Sequence, residues 1–161
     1  MPTSQTFKVE QVYANETLVK SAKPGENVLI KLSSAGTEDV QKGYVICGGV
    51  PCRAVDKVMV EMAIVDLPES TPIVSAGFKA VFHCICCEEE CSIGKIYQVT
   101  DGKGNKHGGQ FCKVGNKIVA RVDFGRTVTV EEFEKAKFLG RFTLRTEGKT
   151  VAIGKVVRLP K

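Results

Sequence analysis

Apolar and polar residues alternate along most of this chain, in short segments that Gly, Pro, Asn or Asp interrupts about every eight to twelve residues. A helix would instead need apolar residues three and four positions apart, and only residues 131–138 (EEFEKAKF) leave room for a helical turn. Residues 28–32 alternate after a Pro-Gly turn, and residues 58–65 are apolar on both sides, which predicts a strand buried on both faces. The pattern predicts an all-β barrel or sandwich. Further strands are predicted at residues 79–87, 93–100, 117–124, 127–133, 140–146 and 149–158.

The alternation breaks at residues 48–56 (GGVPCRAVD), where a Gly-Gly pair and a proline separate two strand patterns. This break predicts a domain boundary, with one domain at residues 1–51 and a second at residues 52–161. The second segment is long enough for a six-stranded antiparallel barrel. The first is too short to close a barrel, so we expect it to be the C-terminal part of a domain whose first strands are missing.

All of the formal net charge of +5 comes from the last thirty residues. Residues 132–161 hold eight basic and three acidic residues, whereas the two signs balance in residues 1–51 and again in residues 52–131. A general nucleic-acid binder would spread its cations more widely. Two interpretations remain from charge alone: a local patch that attracts an acidic partner or a phosphate backbone, or a solvated face.

Targeting signals and disulfides are both unexpected. The chain lacks a run of 18 apolar residues, which predicts no membrane span, and its first residues lack the basic start and apolar stretch of a secretory signal. Seven cysteines is an odd number, and a chain with 43% hydrophobic residues can form a core without disulfides. We therefore expect reduced thiols in a cytoplasmic protein.

The cysteines concentrate in one segment, HCICCEEEC at residues 83–91. A metal site needs ligands that converge on one point. A strand over residues 79–87 would place Cys84 and Cys86 on one face and His83 and Cys87 on the other, so we expect no metal site and expect the thiols to pack as small apolar groups. A structural zinc site is the alternative interpretation of this segment.

Catalytic motifs are not predicted in this chain. A cysteine nucleophile needs a neighbouring base, and the two histidines fall in a predicted strand and in the glycine-rich loop at residues 101–109. Residues 148–150 (GKT) resemble the end of a phosphate-binding loop, but position 143 is Thr where that loop requires Gly, and a strand pattern follows. We therefore predict no catalytic residue here, and a thiol or zinc enzyme remains an alternative that depends on the cysteines alone.

The segment GRFTLRTEGKTVAIGKVVRL at residues 140–159 predicts a hairpin that turns at Glu147-Gly148. Alternation places Phe142 and Leu144 on one face and the arginines of the strand on the other. An arginine side chain pairs with carboxylates or phosphates through a planar fork, so this face can bind a charged partner. The alternative is that Arg141 and Arg145 pair with local acids such as Glu147 or Asp123.

This same segment closely resembles the C-terminal signature of the elongation-factor-1-alpha-like translational GTPases. It is most similar to the GTP-binding subunit of the eukaryotic peptide chain release factor, the class II termination factor. KPGENVLIKL (residues 23–32) and GYVIC (43–47) resemble the end of the second domain of that family, and VSAGFKAVFHC (74–84) resembles its third domain, in the same order.

The resemblance implies that this chain follows a GTPase domain, with its GTP and Mg²⁺, in a longer parent protein. It implies the end of the second-domain barrel at residues 1–51 and the third domain, a six-stranded antiparallel Greek-key barrel, at residues 52–161. In the family, the last barrel binds the C-terminal domain of the class I release factor, which reads the stop codon, and the second domain meets the ribosome. The implied partner-binding residues are Gly140, Arg141, Phe142, Thr143, Leu144 and Arg145. Thr146 departs from the Asp typical of the family.

The resemblance also implies a binding module without catalytic residues, cofactor, metal, membrane contact or specific nucleic acid of its own. Close alternatives are the equivalent module of a ribosome-rescue GTPase and that of the elongation factor that delivers tRNA. A stand-alone RNA-binding barrel is an alternative of another class. That alternative is disfavoured because aromatic residues make up 7% of the chain and Trp is absent, whereas such barrels stack bases on aromatic side chains.

Overall fold

The computed structural model describes residues 5–33, 36, 39–49 and 52–160. Across these ranges the chain is almost entirely β-strand, with one four-residue helix. The elements are β1 Val9–Ala14, β2 Thr17–Val19, β3 Val28–Leu32, β4 Ala54–Ile64, β5 Val74–Ser75, β6 Lys79–His83, β7 Glu88–Thr100, β8 Lys106–His107, β9 Phe111–Cys112, β10 Lys117–Thr129, α1 Lys137–Gly140, β11 Arg141–Thr146 and β12 Lys149–Arg158. The described helix is far too short and polar to cross a membrane.

The chain divides into two compact units, one at Thr3–Lys42 and one made chiefly of Gly43–Lys161. The smaller unit is a three-stranded antiparallel sheet in the order β2, β1, β3. Asn15 and Glu16 connect β1 to β2 with positive φ angles of 47° and 64°, as a tight two-residue hairpin turn requires. None of the described residues of this unit is fully buried, so the sheet has no apolar core of its own.

The larger unit is a closed antiparallel barrel. Its six strands follow the order β10, β4, β12, β11, β6, β7, and β7 pairs back to β10. Closure leaves these strands without a free edge. The short strand β8 pairs with the end of β7. Strands β5 and β9 pair with each other in a separate two-stranded sheet. The predicted all-β class with a six-stranded antiparallel barrel is confirmed.

Inward-facing apolar side chains fill the barrel. Three phenylalanine rings meet at its centre: Phe82 stacks on Phe142 with ring centroids 4.6 Å apart and contacts Phe124 edge-on at 5.0 Å. Each fully buried side chain of this size stabilises the fold by about 1.5–3 kcal/mol. The strand pairing therefore rests on a core in which β6, β10 and β11 each contribute one aromatic ring.

Several predicted elements differ from the observed ones. The prediction of a strand at 28–32 is confirmed, but the predicted strands at 117–124 and 127–133 form the single strand β10, whose register with β4 shifts between Asp123 and Val128. Such a bulge lets one long strand bend around a barrel. The helical turn lies at residues 137–140, so it overlaps the predicted segment 131–138 only at residues 137 and 138.

Two further predictions are wrong. Strand β4 is fully buried on one face only, because its other face, including Met59 and Ala63, lies on the outer surface of the barrel and stays half-buried. The strand predicted at 79–87 ends at His83, and the chain turns there into β7. Within the predicted boundary segment 48–56, Val50 and Pro51 lie outside the described residues.

Candidate protein-binding face

The hairpin of β11 and β12 turns through Glu147 and Gly148, as predicted. Their φ angles are 48° and 76°, so both residues adopt the left-handed conformation that a two-residue turn of this type requires. Strand β11 pairs with β12 on one side and with β6 on the other. The hairpin is therefore an internal part of the barrel wall and not a free ribbon.

Alternation along β11 divides the predicted partner-binding residues into two groups. Phe142 and Leu144 are 3% and 1% exposed and belong to the core. Arg141 and Arg145 are exposed on the outer surface, and Thr143 is half-buried between them. Gly140 is buried just before the strand, where it packs against the backbone of Phe133. Of the six predicted residues, the outer surface thus presents the two arginines and the threonine.

Arg141 lies on an aromatic ring. Its guanidinium carbon is 5.5 Å from the ring centroid of Phe133, and Nζ of Lys155 is 5.7 Å from the same centroid. Arg141 and Lys155 are cross-strand partners, and Phe133 is held in place because its backbone N–H donates to the Val156 carbonyl at 2.9 Å. The negative face of an aromatic ring attracts cations, so this ring holds two positive side chains close together on the surface.

Arg145 stabilises the turn of its own hairpin. Its Nη2 donates a hydrogen bond to the Gly148 carbonyl at 3.0 Å. The predicted alternative, pairing of the two arginines with Glu147 or Asp123, is wrong: among the described residues neither arginine forms an ion pair, and Asp123 pairs with Arg121 at 2.8 Å. The positive charge of Arg141 and Arg145 therefore stays unneutralised by carboxylates of the described part of the chain.

An apolar residue that the sequence analysis did not identify, Ile153, lies on the same surface. Ile153 is the cross-strand partner of Thr143 and is 54% exposed, and Phe138 of the short helix is 73% exposed. The signal for Ile153 was present in the sequence, since it occupies an outward position of β12 two residues before Lys155. We name the five outward residues Arg141, Thr143, Arg145, Ile153 and Lys155 the β11–β12 face.

The cysteine segment also differs from its prediction. Because β6 ends at His83, residues 84–87 form the loop to β7, and the period-two rule no longer separates their side chains. The Sγ atoms of Cys84, Cys86 and Cys87 all lie within 4.8 Å of one another. His83 instead faces Glu88, with Nε2 and Oε1 3.5 Å apart.

Comparison with known proteins decides the family. The model of the GTP-eEF1A C-terminal domain-like family matches residues 58–157, which include four strands of the barrel completely and most of β4 and β12. The chain belongs to this family. The match includes the β11–β12 face entirely, so the face is part of the domain that defines the family.

Curated relatives of the chain include GTP-binding subunits of eukaryotic peptide chain release factors. The chain is 31% identical to the eukaryotic peptide chain release factor GTP-binding subunit of Dictyostelium discoideum, over 100% of this chain and 30% of the relative. It is 34% identical to the protein of the same name from Schizosaccharomyces pombe, over 99% of this chain and 24% of the relative. The chain thus spans less than a third of the length of these curated relatives.

A solved structure agrees with these relatives. The crystal structure of sup35 complexed with GDP superposes with a TM-score of 0.88 at 33% identity, over 100% of this chain and 40% of that one. A second crystal structure, of sup35 complexed with GMPPNP, gives the same TM-score and identity. The predicted resemblance to the release factor GTP-binding subunit is therefore confirmed, and the homologues of this chain are parts of GTP-binding proteins of translation termination.

Proposed function

We propose that this chain is a non-catalytic binding module of a translation termination GTPase, and that its β11–β12 face binds the C-terminal domain of a class I release factor. The observation that carries the proposal is the pair Arg141 and Arg145, exposed on one strand and without a carboxylate partner among the described residues. The relatives, named as GTP-binding subunits of peptide chain release factors, supply the class of partner.

The chemistry of the face suits a protein partner. Arginine is enriched among the residues that contribute most of the binding energy at protein interfaces. Its guanidinium group pairs with carboxylates, and its aliphatic part packs against apolar groups. Ile153, the cross-strand partner of Thr143, adds exposed apolar area beside these cations. A partner with acidic residues around an apolar centre would match both properties, and its negative charge would speed the encounter.

The remaining parts of the proposal concern what lies around the barrel. We place the end of the second-domain barrel at residues 1–51, which is supported by a three-stranded sheet that lacks buried residues in its described part. We place GTP and Mg²⁺ in a GTPase domain outside this sequence. We expect the complete factor, with all its domains, to bind the ribosome. In this role the barrel holds the codon-reading factor while another domain hydrolyses GTP.

Charge reversal on the face tests the proposal. The chain is titrated calorimetrically with the C-terminal domain of a class I release factor, first unchanged and then as Arg141→Glu with Arg145→Glu. We expect the double variant to raise the dissociation constant about tenfold or more, equivalent to about 1.4 kcal/mol, because two cations that meet carboxylates become anions. The melting temperature, followed by circular dichroism, should fall by only a few degrees, because both side chains are exposed and the change removes only the Arg145–Gly148 hydrogen bond and the Arg141–Phe133 contact.

A matched control reverses the same charge elsewhere. Lys103→Glu with Lys113→Glu reverses two exposed lysines in loops outside the face and changes the net charge equally. We expect its affinity to stay near that of the unchanged chain. Equal weakening by both double variants would show only long-range attraction and would overturn the proposed face.

Competing partners separate the alternatives. The same titration with a rescue factor related to the release factor, with aminoacylated tRNA and with an unstructured RNA tests the rescue, elongation and RNA-binding interpretations. We expect the class I release factor to bind most tightly. Tighter binding of any of the other three would assign the module to that partner instead.

A further inference from the structure

Three thiols meet at the tip of the β6–β7 hairpin. The backbone N–H of Cys84 donates to the Cys87 carbonyl at 2.9 Å, which closes a tight loop with Ile85 and Cys86 at its end. The Sγ of Cys84 lies 3.4 Å from that of Cys86 and 3.1 Å from that of Cys87. A loop that is fixed by the strand pairing on both sides thus directs three sulfur atoms to one point.

The cluster is accessible from solvent. All three cysteines are half-buried, and the Ile85 side chain between them is exposed. The other described cysteines differ: Cys91 and Cys112 are buried in the core, and Cys47 and Cys52 form a separate pair in which the N–H of Cys52 contacts the sulfur of Cys47 at 3.4 Å. The cluster therefore lies at the surface of the barrel and not in its core.

Contacts around the cluster fix the positions of the three sulfur atoms. The Sγ atoms of Cys86 and Cys87 both lie within hydrogen-bond distance of the Cys84 sulfur. Cys86 also lies 3.4 Å from the Thr129 carbonyl, which fixes its side chain against the end of β10. The thiolate is the form of cysteine that binds metals.

We propose that Cys84, Cys86 and Cys87 form a site for one thiophilic d¹⁰ cation, Zn²⁺ or Cu⁺, bound through their three Sγ atoms. A zinc–thiolate bond of about 2.3 Å in tetrahedral geometry requires sulfur atoms about 3.8 Å apart, so the Cys84 sulfur, 3.4 Å and 3.1 Å from those of Cys86 and Cys87, needs to separate from each by less than about 1 Å. On binding, the thiols release their protons to solvent. Three protein ligands leave a fourth position of Zn²⁺ to water, whereas Cu⁺ is satisfied by soft thiolates alone.

The number of sulfurs argues for a metal over a simple redox pair. A disulfide would use two of the three thiols and leave the third without a role, whereas a trithiolate site uses all of them. Hard cations such as Mg²⁺ and Ca²⁺ prefer oxygen ligands and are not expected to bind here.

Zinc titration of the full chain, in a phosphine reductant, tests the proposal. We expect the unchanged chain to bind one equivalent of Zn²⁺, which remains bound during gel filtration. When Co²⁺ replaces Zn²⁺, a thiolate-to-metal absorption band should appear. Ca²⁺ should not bind. Cys84→Ser with Cys87→Ser should lose the bound Zn²⁺ and the Co²⁺ absorption. Cys47→Ser with Cys52→Ser removes the same number of half-buried thiols elsewhere and should keep both.

Circular dichroism of each variant with a chelator present reports whether the barrel is folded, and binding is compared between folded variants only. Should a double variant fail to fold, the single change Cys86→Ser takes its place, with loss of the Co²⁺ absorption expected. Retention of tight Zn²⁺ by the Cys84/Cys87 variant would overturn the proposal. So would a reduced chain that takes up neither Zn²⁺ nor Cu⁺ and instead forms a Cys84–Cys87 disulfide in air.

Discussion

Gly140 occupies a position that no other residue fits, which makes its role structural although the family resemblance assigns it to the partner surface. A Cβ added there would lie 2.4 Å from Cα and 2.6 Å from N of Phe133, both of them backbone atoms that cannot rotate away. We expect Gly140→Ala to lower the free energy of unfolding in urea by about 1–3 kcal/mol, through overpacking. Gly108→Ala, where the added Cβ would meet open space, is the control. Equal urea midpoints of unfolding for Gly140→Ala and Gly108→Ala would contradict this account.

At the scale of elements, the turn between β11 and β12 sets the register of the proposed binding face. Glu147 holds a positive φ of 48°, a conformation that Asn tolerates better than Glu. We therefore expect Glu147→Asn to raise the free energy of unfolding by about 0.5–1 kcal/mol, measured by chemical denaturation. Glu147→Gln removes the same charge without the better fit and should leave stability near its starting value. If Glu147→Gln raised the free energy of unfolding as much as Glu147→Asn, the effect would come from loss of the charge and not from the backbone conformation.

At the scale of the whole molecule, the two units differ in what holds them together. Every fully buried side chain in the described residues lies between Val55 and Leu159, in the larger unit. Amide hydrogen exchange should therefore show strong protection in β4 and β10 and weak protection in β1–β3, because local opening of a sheet without a core exposes little apolar surface. Mass spectrometry of peptides after timed exchange measures the difference. Uniform protection along the chain would contradict it.

Local patterns in the sequence predict much of the barrel. Alternation identifies β3, β4, β11 and β12, because the side chains of a strand point to opposite faces with a period of two. The same rule places Phe142 and Leu144 in the core and the arginines outside. The Glu147-Gly148 turn follows from the positive φ that tight hairpins need.

The sequence by itself determined the fold class, the inward and outward residues of the hairpin, and the resemblance to release factor subunits. Only the tertiary structure decided which strands pair, because pairing brings together residues distant in the chain that no local period relates. It placed Phe133 beneath Arg141 and Lys155, and it left both arginines without carboxylate partners in the described residues. It also ended β6 at His83, since the pairing of β6 with β7 fixes where the chain must turn, and that turn brings three thiols together.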